Sequence, residues 1–216
     1  MAQGFRRPKS KAALDSLEAG GLWNAIALTK SIGEGDEKIT LAIILRIHRI
    51  FFINANPDIA GVFRKTGQDV KKLQCMEPPP GRLIEEKMYE FWRELDRRIS
   101  TLPRRPKGGS KTQRKKWANE ILDLATWTQY QIAAIHPFCE GNGRMARLMT
   151  NLILYRFNFQ PSQIKYEGEN KNLYLDALCQ IDRYGDYAPL KKLIAESVYE
   201  TYEKVYKAAK NASGLL

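Results

Sequence analysis

The segment Ile135-His136-Pro137-Phe138-Cys139-Glu140-Gly141-Asn142-Gly143-Arg144-Met145-Ala146-Arg147 decides how the rest of the chain is read. It joins two strong helical patterns. Before it, residues 117–135 carry Ile121, Leu124, Ala125, Thr128, Ile132 and Ile135 along one side. Pro137 must end that helix, because the residue before a proline is pushed out of helical space. After it, GRMARLMTNLILYRFNF is apolar nearly all round, which predicts a central, buried helix. Within the loop, Gly141 and Gly143 let backbone amides approach a ligand without side-chain obstruction. The loop feeds into a helix N-terminus, where unpaired N–H groups and the positive end of the dipole favour phosphate. Arg144 and Arg147, three residues apart, project from one face of the first turns. Two guanidinium forks beside an amide nest suit a polyphosphate. Glu140 supplies a carboxylate suited to Mg2+ that bridges phosphates, and Asn142 can donate to a phosphate oxygen. His136, one of two histidines in the chain, can take a proton from an incoming hydroxyl. These parts add up to phosphoryl or nucleotidyl transfer. The nest is not of the Walker type, since no GxxxxGK[ST] occurs.

Working outward, the chain reads as helices arranged around this loop. Residues 1–20 read as a basic, poorly ordered leader. A short helical pattern over 21–31 places Leu22, Trp23, Ile26 and Ala27 on a face, and SIGEGDEKIT reads as a loop because its glycines break the period. Asp36 or Thr40 can cap the next helix, TLAIILRIHRIFFINAN, which has Leu41, Ile44, Leu45, His48 and Phe52 at helical spacing. GVFRKTGQDVKKLQCMEPPPGR contains too many breakers for a helix. Val62 to Lys65 and Val70 to Leu73, with Gly67 between, suggest a short hairpin or flap. LIEEKMYEFWRELDRRIS is amphipathic, with Ile84, Met88, Phe91, Trp92 and Leu95 inward. Residues 101–115 read as a basic connecting loop. Two more helices are expected, over about 171–183 and 188–210.

With 216 residues, 44% of them hydrophobic, the chain can bury a core without disulfide or metal staples, which excludes disordered, collagen-like and small disulfide-scaffold classes. Cys75, Cys139 and Cys179 are odd in number and widely spaced, so reduced thiols in a cytoplasmic protein and no zinc site are expected. No apolar run is long enough to span a membrane, and the N-terminus lacks a secretory signal pattern. The net charge of +11 favours anionic partners without choosing among them. His48 reads as a satisfied core histidine, and Trp23, Trp92, Trp117 and Trp127 as core or interface residues. Cys139 receives no catalytic role.

HPFCEGNGRMAR resembles the signature of the Fic family, HPFx[D/E]GNGRxxR, at every specified position. GVFRK resembles that family's flap, and LYLDALCQIDRYGDYAPLKKLI resembles the helix pair after its core. The likeness covers about residues 38–200, leaving 1–37 as a leader with a short helix and 201–216 as a helix end and tail. The resemblance implies an all-α Fic-type helical bundle with a small β-hairpin flap. It implies a Mg2+-dependent transferase moving AMP from ATP to a Ser, Thr or Tyr hydroxyl of a target protein. By the same resemblance, His136 deprotonates the target hydroxyl and Glu140 holds Mg2+. Asn142, with the backbone of Gly141 and Gly143, cradles the α-phosphate; Arg144 binds the β-phosphate and Arg147 the γ-phosphate. Phe138 anchors the loop, and Tyr174 lies on the adenine side. The flap residues Gly61, Val62, Phe63, Arg64 and Lys65 align the target main chain by strand addition. An intact Gly143 favours AMP over the phosphoryl transfer of the Doc type; transfer of a phosphoryl group, UMP or phosphocholine is the alternative on this scaffold. Many such proteins carry an inhibitory helix, [S/T]xxxE[G/N], whose glutamate meets the second arginine. The stretch Thr29-Lys30-Ser31-Ile32-Gly33-Glu34-Gly35 misses that spacing by one residue. The resemblance therefore points to a cytoplasmic toxin restrained by a separate small antitoxin that supplies the glutamate, or to an unrestrained enzyme or an effector delivered into a host cell. A membrane partner is not expected. A nucleic-acid-binding module using the basic charge is the disfavoured reading.

Overall fold

The computed structural model describes residues 10–68, 70, 75–106, 109–165 and 167–212. Among these, the helices in chain order are α1 (Lys11–Glu34), α2 (Leu41–Phe52), α3 (Ile84–Ser100), α4 (Lys111–Ile135), α5 (Asn142–Arg156), α6 (Gly168–Tyr184) and α7 (Ala188–Ala212), with one 3-10 turn at Gly81–Leu83. The axis of the bundle is α5, as its unbroken apolar sequence predicts: Met145, Ala146, Met149, Leu152, Ile153 and Leu154 are fully buried. It lies between α4 and α1; α2 packs on α1, α3 on α4, and α7 on α4 and α6. The expected inner face of α4 is buried along its whole length, from Ile121 to Ile135. No described helix is long and apolar enough to cross a membrane.

Four expectations need correction. First, α1 starts at Lys11, so the second half of the expected leader is helical and the helix runs on to Glu34. Ser10 opens it by accepting the Ala13 N–H at 3.2 Å. Gly21, where the helical pattern was expected to start, and Gly33, read as a breaker, are contact points inside α1. A Cβ at position 21 would sit inside the Phe51 carbonyl of α2, and one at position 33 would collide with Tyr155 of α5. Their cost in helix propensity, about 1 kcal/mol each, is offset by the close approach of two neighbouring helices. The buried Arg156 then collects the carbonyls at the end of α1, Ile32 at 3.0 Å and Gly35 at 3.0 Å.

Second, α4 begins at Lys111, inside the stretch read as a basic loop. Ser110 and Gln113 form a reciprocal capping box that starts it. Third, Cys75 and Cys179, 104 residues apart in sequence, are joined in a disulfide with Cα atoms 5.6 Å apart, and Cys139 is free. The expectation of three reduced thiols is overturned, because sequence spacing does not reveal a pairing created by the fold.

Fourth, the flap is not a hairpin among the described residues. Residues 62–65 belong to no strand, and a turn follows at 66–67. Residues 69 and 71–74, where most of the second limb was expected, lie outside the described residues. The segment is tied inward instead. The Gly61 N–H donates to His48 Nδ1 at 2.9 Å and the Arg64 N–H to the Pro137 carbonyl at 2.9 Å.

Candidate active site

The loop between α4 and α5 is built from the inside out. Phe138 is fully buried and stacks on the His48 ring of α2, with centroids 3.8 Å apart and planes within 5°. Asn142 holds Phe138 from both sides: its Oδ1 accepts the Phe138 N–H at 2.9 Å, and its Nδ2 donates to the Phe138 carbonyl at 2.7 Å. The Asn142 side chain is therefore the clasp of the loop, buried, with one of its two Nδ2 protons engaged by the backbone. It still offers a phosphate its second Nδ2 proton and its main-chain N–H, at the first position of α5. Gly141 sits between them with φ of 78°, a left-handed conformation, and a Cβ there would lie 2.5 Å from the Phe52 ring. Glycine alone meets both constraints. Gly143 differs. It is exposed, and a Cβ would meet Arg147 Nη1 at 3.6 Å, an ordinary contact. The fold does not require glycine at 143; a side chain there would instead crowd the open start of α5.

His136 occupies the C-cap of α4 with φ of 52° and ψ of 57°. It is one of two non-glycine residues with positive φ among those described. Its N–H closes α4 on the Ile132 carbonyl at 3.0 Å. Its Nδ1 lies 3.3 Å from the Ala133 carbonyl. A carbonyl only accepts, so Nδ1 carries the proton and Nε2 keeps its lone pair. Nothing among the described residues bonds Nε2. Burial and, more weakly, the Arg64 cation hold the imidazole below its ordinary value, against the Ala133 bond that raises it. The ring is neutral at pH 7 with one nitrogen available as a base.

Glu140 is exposed, and its carbonyl takes the Nε2 proton of His48 at 3.2 Å. Arg144 is half-buried over the Phe51 ring at 4.4 Å. Its Nη1 meets Glu18 Oε2 of α1 at 2.6 Å. Sequence reasoning missed Glu18, because its stretch read as leader and the search for an inhibitory glutamate followed a fixed spacing. Arg147 stands one turn further along α5, half-buried. The α4–α5 loop and the start of α5 thus carry the imidazole, Glu140 and both arginines. Tyr174, on α6, is 2% exposed among core side chains. Of the flap residues, Val62 and Lys65 are exposed, while Phe63 packs against Phe138 with centroids 5.6 Å apart. Arg64 is buried with its guanidinium turned inward, away from any target.

Residues 38–154, more than half of the chain, match the model of the Fic/DOC family. The chain is a member of the Fic/DOC family. A relative named protein adenylyltransferase Fic, from Nematostella vectensis, is 30% identical over 197 residues, covering 89% of this chain and 40% of its own length. The chain thus spans less than half of that relative. Two solved Fic structures share the fold. Fic-1 (residues 134–508) from C. elegans superposes with a TM-score of 0.70 at 23% identity, over 97% of this chain and 56% of that one. A Fic-domain signalling protein from Bacteroides thetaiotaomicron does so with a TM-score of 0.74 at 18% identity, over 95% and 76%. The Fic signature is carried here by the α4–α5 loop, whose clasped geometry is the part of the fold that can meet a phosphate chain.

Proposed function

We propose that this Fic protein transfers AMP from ATP to a hydroxyl side chain of a target protein. The observation that carries the reading is His136. Its proton is fixed on Nδ1, its Nε2 is open, and the loop it begins runs straight into the phosphate-binding start of α5. In the transfer, the target oxygen forms a bond to the α-phosphorus while its proton moves to His136 Nε2. The bond from that phosphorus to the bridging oxygen breaks, and pyrophosphate leaves with the electron pair. The main-chain N–H groups of Asn142, Gly143 and Arg144 face the charge that develops, and Arg144 and Arg147 hold the outer phosphates. The segment at 62–65, before the turn at 66–67, is the part of the chain against which a target main chain would align.

The donor set fits Mg2+. Glu140 is a single exposed carboxylate, and no group of three His, Cys, Asp or Glu is poised for a metal among the described residues. A cation held mainly by phosphates and water, with one protein carboxylate, is the habit of Mg2+, which would neutralise phosphate charge there.

Glu18 adds a restraint internal to the chain. It occupies the guanidinium that a β-phosphate needs, so α1 competes with ATP for Arg144 without a separate antitoxin.

The test is transfer from α-labelled ATP, with Mg2+, to proteins of a lysate. Label from the α but not the γ position selects AMP over phosphoryl transfer. His136→Ala should lower the rate roughly 10²- to 10⁴-fold while ATP still binds. A His136→Ala protein that labels as fast as the parent would overturn the reading.

A further inference from the structure

We propose that Arg64 is a positioning residue for His136: clamped across the carbonyls at the end of α4, it holds the backbone of His136 and thereby the aim of Nε2. The proposal rests on the transfer reading above and deepens it.

The geometry is concentrated in one side chain. Arg64 Nε donates to the His136 carbonyl at 2.7 Å. Its Nη2 donates to the Pro79 carbonyl and, at 3.4 Å, to that of Ile135. Its own main-chain N–H donates to the Pro137 carbonyl at 2.9 Å. One residue thus ties down three consecutive positions, 135 to 137, and links them to the segment that precedes α3. The side chain is 3% exposed, so the cation is not displayed to a target.

His136 needs such a tie. A left-handed conformation costs a non-glycine residue about 1–2 kcal/mol, so it persists only where the surroundings hold it. On the ring side the structure supplies one bond, at 3.3 Å to Ala133. On the backbone side it supplies Arg64. The guanidinium also sits where α4 ends and its last carbonyls point outward, so cation and helix dipole attract. A planar fork can serve several carbonyls at once, which a lysine ammonium on a flexible stem does less well. Arg64 acts on the imidazole and on Cys139, and the Glu140 carboxylate acts on Cys139.

The experiment compares Arg64→Met and Arg64→Lys with the parent in the full chain. ATP affinity should hold within about twofold, while kcat per folded molecule falls roughly 10- to 100-fold in Arg64→Met, the scale set by misplacing a reacting group by about 1 Å. Arg64→Lys should recover part of that loss. The acid limb of kcat should move to higher pH in Arg64→Met and stay in place in Arg64→Lys, because the methionine removes the cation that disfavours imidazolium. An unchanged kcat in folded Arg64→Met, or a loss of ATP affinity equal to the loss of kcat, would overturn the proposal. The ring itself gives a readout independent of turnover. With two histidines in the chain, ¹⁵N spectra assigned through His136→Gln should show Nδ1 protonated in the parent and mixed tautomers in Arg64→Met. An inactive parent that still shows this tautomer change would sink the transfer reading and leave the positioning role standing. An active parent with identical tautomers in both would do the reverse.

Discussion

The two histidines of this chain both adjoin the α4–α5 loop, one beneath it and one at its start, and have opposite fates. His48, in the middle of α2, has both ring nitrogens engaged: Nδ1 accepts from Gly61 and Nε2 faces the Glu140 carbonyl. Burial holds it down to about 4, so it is a neutral strut under the loop. His136, at the end of α4, has one nitrogen engaged and one open. Burial lowers the imidazole in both cases. The difference between strut and base is therefore not polarity or charge, but how many ring nitrogens the fold consumes. Substitution should separate them. His136→Ala should cost rate and little stability. His48→Ala should cost about 2–5 kcal/mol of stability, since it removes a buried, stacked ring and the bonds to two part-buried backbone groups. Denaturant midpoints beside transfer rates check both; equal stability losses would erase the distinction.

A second way to sharpen the comparison is pH. In the unfolded chain His48 titrates near 6.5, and in the fold at about 4. Its lowered value means that protonation favours unfolding. Stability is unaffected well above 6.5, falls as pH drops through that value, and levels off below 4. Between pH 7.5 and 5 the expected loss is about 2 kcal/mol. His136 shifts in the same direction and adds to it. Urea midpoints across this range measure the total, and a His48→Gln variant should lose most of the slope.

The two loop glycines extend the same contrast between holding and acting. Gly141→Ala meets a positive φ and the Phe52 ring, so it should cost about 2–3 kcal/mol and activity with it. Gly143→Ala meets ordinary contacts, so it should keep its midpoint within about 0.5 kcal/mol while raising the KM for ATP. Midpoints that move together would show that 143 is also structural.

How much of this was visible in the sequence follows from how local each signal is. The α4–α5 loop was legible because proline, glycine and arginine spacing act within a dozen residues. Its inner bonding was not: nothing in the spacing shows that Asn142 also clasps the Phe138 backbone. Gly33 reads as a helix breaker because its justification lies on Tyr155, far along the chain. Arg64 reads as a target-aligning flap residue because the carbonyls at the end of α4 that it serves lie some 70 residues away. Cys75 and Cys179 are separated by 104 residues, beyond any spacing rule. Ser110 and Gln113 were a legible start signal for α4 masked by the surrounding charge.

The smallest predicted effect concerns α1, where holding and acting meet in one ion pair. Glu18 and Arg144 are both partly shielded, with side chains 21% and 32% exposed, so the pair is stronger than a fully solvated bridge. Losing it should cost the fold no more than about 1 kcal/mol, because Arg144 keeps its seat over Phe51. A phosphate asks for the same guanidinium with more charge and a similar fork geometry. Glu18→Gln removes the competitor and leaves α1 intact, so ATP should bind about three- to tenfold more tightly, about 1 kcal/mol. The gain should vanish in an Arg144→Ala background if the two residues act as a pair. Titration of ATP into the four proteins of that cycle decides it: equal gains with and without Arg144 would mean that Glu18 acts elsewhere, and α1 would then be scaffold alone.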